Sequence, residues 1–319
     1  MELPSFAEVV QSKKMTLEER KQDILKLMCW DGVDNGVKLL GNSYIQSYMM
    51  EHMGRTSFDG KPTMEQTFND PVLCQKLYNG TVTKTPDKLV VNMPQAFTRI
   101  HPVCFLKPSA AKYFYKKMNA TKVLDITAGW GGRMLGAMTS GVEYTGIDTN
   151  LSLQNSYNEM IRELTEWTNG SAQMIWKDCR EVDLSTIDYD LMFTSPPYYN
   201  KEIYEHMTPY ADKSAYYNDF LIPMLNKCLL HVRRNGWVCI NVNEEYYREL
   251  LSFGFRKCDK VEEFQQSTRK CKDGTIKMEK IYCWKQVPES QPDCTSCTRC
   301  KELEAEIRKL KDAMKLLLA

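Results

Sequence analysis

Two stretches of this chain combine residue types that could carry out chemistry on a flat, amine-bearing ring. The first is Thr194-Ser195-Pro196-Pro197-Tyr198-Tyr199, placed just after the apolar run Tyr189-Asp190-Leu191-Met192-Phe193. Neither proline supplies a backbone N–H and both fix φ, so the chain cannot continue there as a strand. It must leave a buried strand as a rigid bend, with two aromatic rings following at once. A rigid carbonyl beside an aromatic face can hold a nucleobase, and Tyr198 and Tyr199 offer stacking faces. Alone, Ser-Pro-Pro-Tyr is equally an ordinary turn; its weight comes from a second motif upstream.

That second motif is Val123-Leu124-Asp125-Ile126-Thr127-Ala128-Gly129-Trp130-Gly131-Gly132-Arg133-Met134-Leu135. An apolar strand ends in Asp125, a glycine-rich turn follows, and a helical pattern begins. Glycines at such a turn allow a tight reversal and a close approach of backbone to ligand. The next strand-like run ends in Asp148, about twenty residues on, the place for a partner to ribose hydroxyls. A third run, ending at Lys177, is followed by Asp178. Any one of these aspartates fits a chance turn; the ordered set of three fits it poorly.

In these residues the chain resembles the class I S-adenosylmethionine-dependent methyltransferases, specifically those acting on exocyclic amines of nucleobases. Asp125-x-x-x-Gly129-x-Gly131 resembles their cofactor loop and Ser195-Pro196-Pro197-Tyr198 their catalytic motif. The Leu106-Lys107-Pro108 segment is similar to the one preceding that loop. The resemblance covers roughly residues 96–288, about three-fifths of the chain. It implies S-adenosyl-L-methionine as cofactor, with Asp148 on the ribose and Asp178 on the adenine amine. Gly129 and Gly131 would meet the methionine half, Asp125 its ammonium and Lys107 its carboxylate. It further implies a DNA base as acceptor, serine in first place leaning toward cytosine N4 over adenine N6. RNA, a protein amide and a non-catalytic scaffold stand as alternatives.

The chemistry expected of the bend follows from the acceptor. A nucleobase amine delocalises its lone pair into the ring and is a poor nucleophile. Two hydrogen-bond acceptors for its N–H groups would favour a tetrahedral nitrogen and take up charge as it forms. The Pro196 carbonyl and the Ser195 side chain are the candidates, Pro197 stiffens the bend, and Tyr198 stacks. A base inside a duplex is out of reach, so it must be flipped out or already unpaired.

The elements that must position these residues read as α/β. From Val123 onward strands and helices alternate, which indicates a parallel sheet. Strand ends fall at Asp125, Asp148, Trp176 and Thr194. A helix over Tyr216–Val232 leads to a fifth strand, and Phe255–Phe264 and Lys277–Trp284 form a closing hairpin around Lys272-Asp273-Gly274. The expected fold is a Rossmann-like, seven-stranded, mostly parallel sheet with an antiparallel closing hairpin. Ligands then gather outside the carboxyl ends of the strands. The hairpin loop carries Arg269, Lys270 and Lys272, either a solvated loop or a contact to nucleic-acid phosphates.

Residues 1–95 read as a small helical subdomain. Thr16-Leu17-Glu18-Glu19 matches a capping box, a second helix runs near Tyr44–Met53, and Asp59-Gly60-Lys61-Pro62 is a turn. This part serves either as a packing element or as a surface gripping substrate. Residues 289–319 are separate, a linker followed by Cys294, Cys297 and Cys300. After them Leu303, Ile307, Leu310, Met314 and Leu317 space as a short coiled-coil seam. That helix would pair two copies or dock on its own domain; the three thiols need a fourth ligand to hold zinc. No run has the apolar length of a membrane span and no secretory signal is evident. The scattered cysteines therefore point to a reducing, intracellular compartment. Net charge is +1, which argues against avid sequence-blind nucleic-acid binding, so any basic contact must be local.

Overall fold

In a computed structural model, the described residues are 3–34, 38–82, 85, 88–101, 103–199, 201–204, 209–265 and 278–286. Arg269, Lys270, Lys272, the hairpin tip, the three clustered cysteines and the C-terminal seam lie outside them. The chain opens with helices α1 (Phe6–Gln11), α2 (Leu17–Cys29) and α3 (Asn42–Gly54) and a two-residue strand β1 (Ser57–Phe58). Helices α4 (Met64–Asn69), α5 (Pro71–Gly80) and α6 (Leu89–Ile100) follow. The expected capping box forms: Thr16 Oγ1 accepts from the Glu19 N–H, and Glu19 accepts from the Thr16 N–H at 2.8 Å.

Next come α7 (Pro108–Lys117), β2 (Lys122–Asp125), α8 (Gly132–Met138), β3 (Glu143–Asp148), α9 (Gln154–Trp167), β4 (Ser171–Trp176), β5 (Leu191–Thr194) and a short β6 (Glu202–Ile203). The chain continues through α10 (Lys213–Ala215), a π-helical turn (Tyr216–Leu221), α11 (Ile222–His231), β7 (Trp237–Asn241), α12 (Glu244–Ser252), β8 (Lys260–Phe264) and β9 (Glu279–Lys285). The main sheet has the order β4-β3-β2-β5-β7-β9-β8. Five strands are parallel, and β9 runs antiparallel to both β7 and β8. This is the seven-stranded, mostly parallel Rossmann-like sheet with a closing hairpin that the alternation of elements implies. The strand order reverses between β2 and β5, which makes their carboxyl ends the switch point.

Period-2 alternation divides the sheet between two cores. Val123, Leu191, Phe193 and Cys239 join one cluster with residues of α2, α3, α7, α8 and α9. Leu124, Met192, Val238 and Ile240 join the other, with the π turn, α11 and α12. Central β5 is buried throughout, so its apolar run needs no polar face.

Three boundaries differ from expectation. The helix expected from Tyr216 is π-wound over Tyr216–Leu221, just before Pro223. Proline has no N–H for the carbonyl one turn back, and a wider turn absorbs the mismatch. Strand β8 starts at Lys260 rather than Phe255, because backbone N–H groups in the stretch before it bond elsewhere, that of Phe255 to the Leu250 carbonyl. The Cys258 N–H likewise donates to the Tyr247 hydroxyl at 3.0 Å. The boundary expected near residue 95 falls inside α6. Helices α2 and α3 pack directly on the sheet's first core, while α1, α4, α5 and α6 surround a third cluster that includes Phe6, Val9, Met93 and Phe97. Lys112 ties α2 to the sheet domain: its buried ammonium donates to the Leu27, Met28 and Thr139 carbonyls.

Candidate functional site

The glycine turn after β2 is shaped by torsions that side chains resist. Gly129 and Gly131 have φ of 60° and 82°, in the left-handed region. Gly132 opens α8 against the preceding segment, and a Cβ there would sit 2.2 Å from the Leu106 carbonyl oxygen. The Gly129 N–H donates to Asp148 Oδ2 at 2.7 Å and the Asn150 N–H to Oδ1 at 2.9 Å. The carboxylate at the end of β3 is thereby held against the turn. Burial raises the Asp148 carboxyl above its ordinary range, and the two N–H bonds offset part of that shift.

The bend after β5 is fastened at each residue. Thr194 Oγ1 donates to Asp125 at 2.7 Å and lies 2.6 Å from Thr127 Oγ1, which also reaches the Ser195 carbonyl at 3.3 Å. Since the Thr194 proton goes to Asp125, the single Thr127 proton is shared between the Thr194 hydroxyl oxygen and the Ser195 carbonyl. A chain of hydroxyls thus connects the glycine turn to the bend. Ser195 Oγ donates to the Asn241 carbonyl at 3.2 Å, which leaves its oxygen an acceptor. The Pro197 carbonyl accepts from Tyr216 Oη at 2.9 Å, so the π turn anchors the bend from beneath.

Both motifs open on one cleft of about 740 Å³ at the carboxyl ends of the strands. Gly129, Asp148, Asp178, Ser195, Pro196, Pro197 and Tyr198 all line it. Its aromatic lining divides between the two cores: Phe58, Phe105, Trp130 and Tyr204 belong with the first, Tyr198, Tyr210 and Phe220 with the second.

Several residues take places other than those expected. Asp125 is fully buried beneath the cleft and paired with Arg133 at 2.6 Å; Tyr144 Oη donates to the same carboxylate at 2.7 Å. With Thr194 bound as well, it braces the turn instead of facing a ligand. Lys107 does not line the cleft: it precedes the first residue of α7, and burial lowers its ammonium below the usual range. Gly131 also lies off the lining; it caps α8, with the Met160 side chain beside the place of a Cβ. Tyr199 turns to Tyr216, ring centroids 6.1 Å apart, and packs on the second core. Of the tyrosines that follow, Tyr204 and Tyr210 reach the cleft while Tyr216 and Tyr217 are buried. Asp178 lines the cleft but already holds Arg180, whose guanidinium keeps its carboxyl below the usual range.

Sequence reasoning gave no place in the site to Phe58, Trp130, Asn241 or Arg180. Asn241 ends a strand in a polar residue, the same signal that marks Asp125 and Asp148. Phe58, about seventy residues before the glycine turn and further still from the bend, carries no such signal. Cys179 also lines the cleft, and burial pushes its thiol up to about 12, so it is no nucleophile at neutral pH. Among the described residues no three His, Cys, Asp or Glu side chains converge as metal ligands, and no helix is long and apolar enough to cross a membrane.

No protein-family profile matches the chain, and no curated protein matches it. Solved structures similar to it include a precorrin-6y C5,15-methyltransferase from Geobacter metallireducens (12% identity, 55% of this chain and 87% of that one, TM-score 0.38). An RNA methyltransferase from Salinibacter ruber in complex with S-adenosyl-L-homocysteine has 14% identity over 57% of this chain and 94% of its own, TM-score 0.35. An rRNA methylase from Streptococcus thermophilus has 14% identity over 57% and 98%, TM-score 0.38. At such scores the likeness carries no argument, and the fold rests on its own strand order and register.

Proposed function

We propose that the chain is an S-adenosyl-L-methionine-dependent methyltransferase acting on the exocyclic amine of a DNA base, cytosine N4 ahead of adenine N6. One observation carries this reading: the Ser195–Tyr198 bend and the Gly129 turn, with the Asp148 carboxylate, open on one cleft at the switch point of the sheet. The residues fit such a cofactor. Asp148 presents a carboxylate acceptor suited to ribose hydroxyls, Gly129 keeps the turn bare of side chain, and Tyr210 and Phe220 supply aromatic surface beside Asp178. When bound, the cofactor supplies an electrophilic methyl on a sulfonium.

The chain's own residues would do the rest. The Ser195 hydroxyl oxygen and the Pro196 carbonyl accept from the amine N–H groups and draw its nitrogen toward tetrahedral geometry. The bend is stiff because proline torsions and the bonds to Thr127, Asn241 and Tyr216 over-determine it. An acceptor misplaced by about 1 Å costs on the order of a hundredfold in rate. Tyr198, edge-on to Tyr246 at 4.6 Å, offers its ring to the base. No carboxylate stands in the bend, so the proton leaves to solvent after transfer, once the nitrogen is acidic.

The test is transfer of tritiated methyl to single-stranded DNA, duplex DNA and RNA, followed by nucleoside mass spectrometry. N4-methylcytosine in DNA is the expected product. Label confined to RNA or to protein would replace the substrate assignment, and absence of cofactor binding by calorimetry would refute the enzyme.

A further inference from the structure

The N-terminal part reaches into this cleft through one short turn. Strand β1 pairs antiparallel with β6, Ser57 opposite Ile203 and Phe58 opposite Glu202. The Asp59 N–H donates to the Lys201 carbonyl at 2.6 Å. The turn itself is tight: Asp59 and Gly60 have φ of 54° and 67°, and the Lys61 N–H closes on the Phe58 carbonyl at 3.1 Å. Two successive residues with positive φ suit the Asp-Gly pair. Strands of two residues are weak alone, so the pairing leans on Phe58, which packs on the first core and lines the cleft.

Lys201 to Tyr204 is the stretch that follows the catalytic bend. The N-terminal turn is thus fastened to the outgoing arm of the bend, and Tyr204 in turn rests on Trp130, centroids 5.7 Å apart. Asp178, where the base end of the proposed cofactor would lie, lines the cleft with Cys179, Arg180 and Tyr210. Resting on the amino-methyltransferase reading, we propose that Phe58 supplies the outer wall of the acceptor pocket, meeting a flat unpaired nucleobase held on the other side by Tyr198. The N-terminal part then selects the acceptor and leaves cofactor binding to the sheet domain.

The experiment compares wild type, Phe58→Ala, Phe58→Leu and Phe58→Trp in the full chain. The probe is a single-stranded oligodeoxynucleotide carrying 2-aminopurine, whose emission falls on stacking, titrated with S-adenosylhomocysteine present. Base–aromatic stacking predicts a loss of affinity of roughly five- to a hundredfold for Ala and Leu, with quenching kept by Trp. Affinity for S-adenosylmethionine should stay within about twofold in all four, the span of a residue outside that site. Leucine preserves apolar packing, so a purely structural role for Phe58 would leave Phe58→Leu like wild type, and that result overturns the inference. Equal weakening of cofactor binding also overturns it. Wild-type protein that binds the probe but transfers no methyl refutes the parent reading instead.

Discussion

Asp125 offers a sharp test, because sequence and structure assign it different work. As a ligand to the cofactor's ammonium it would matter for binding and little for stability. As the buried brace observed here it accepts from Arg133, Tyr144 and Thr194, and Arg133 is only 6% exposed. Asp125→Ala leaves that guanidinium without its counter-charge, a change that costs about 3–5 kcal/mol at buried pairs. Arg133 keeps its bonds to the Thr127 and Ala128 carbonyls, which places the charge contribution near the lower end. The Tyr144 and Thr194 hydroxyls lose an acceptor, about 1 kcal/mol each. The expected loss is about 5 kcal/mol, a large share of the roughly 5–15 kcal/mol that holds a domain folded. Tyr144→Phe removes a donor without orphaning a charge and should cost only about 1 kcal/mol. Urea unfolding followed by circular dichroism measures both, with an unchanged slope showing that the native fold persists. If Asp125→Ala stays within about 1 kcal/mol of wild type yet no longer binds cofactor, the buried-brace argument is wrong and Asp125 contacts the ligand.

Other consequences can be measured alongside. Asp148→Ala should weaken cofactor binding about a hundredfold by calorimetry, from two charge-assisted bonds at about 1.5 kcal/mol each. Because burial raises Asp148 above the ordinary aspartate value of 3.8, the fold favours its protonated form. The apo protein therefore loses that contribution as pH rises through the raised pKa, while cofactor affinity grows over the same window; falling affinity there would contradict the assignment. Pro196→Ala should lower kcat about a hundredfold with cofactor affinity near normal, and Tyr198→Ala should raise the acceptor KM about tenfold or more. Retained activity in both would refute the bend as the catalytic site. Thr127→Val should reduce kcat about fivefold by freeing the bend from the glycine turn, and Thr127→Ser should restore it; unchanged kcat in the valine variant would remove Thr127 from the positioning chain.

What was legible beforehand was local. Two adjacent prolines and the glycines at 129 and 131 constrain torsions regardless of surroundings. The bend and the turn therefore fall where residue types place them, and the alternation of apolar runs yields the sheet. Depth and side-chain direction were not legible. Tyr199 follows the bend directly, yet its ring packs on the second core, while the cleft takes Tyr204 and Tyr210. Which way a ring turns after a bend depends on the π-wound helix beneath it, and that winding answers to Pro223 within its own helix.

The chain's own order of residues determined where backbone must turn, which strands are wholly apolar and which polar residues end them, since torsional limits and burial of apolar runs act over a few neighbours. Only the assembled sheet decided that Asp125 is sealed under the cleft by partners 8, 19 and 69 residues away. It decided likewise that Phe58 arrives beside a bend more than a hundred residues downstream. Those outcomes depend on which distant groups compete for one carboxylate or one wall, and packing alone settles that competition.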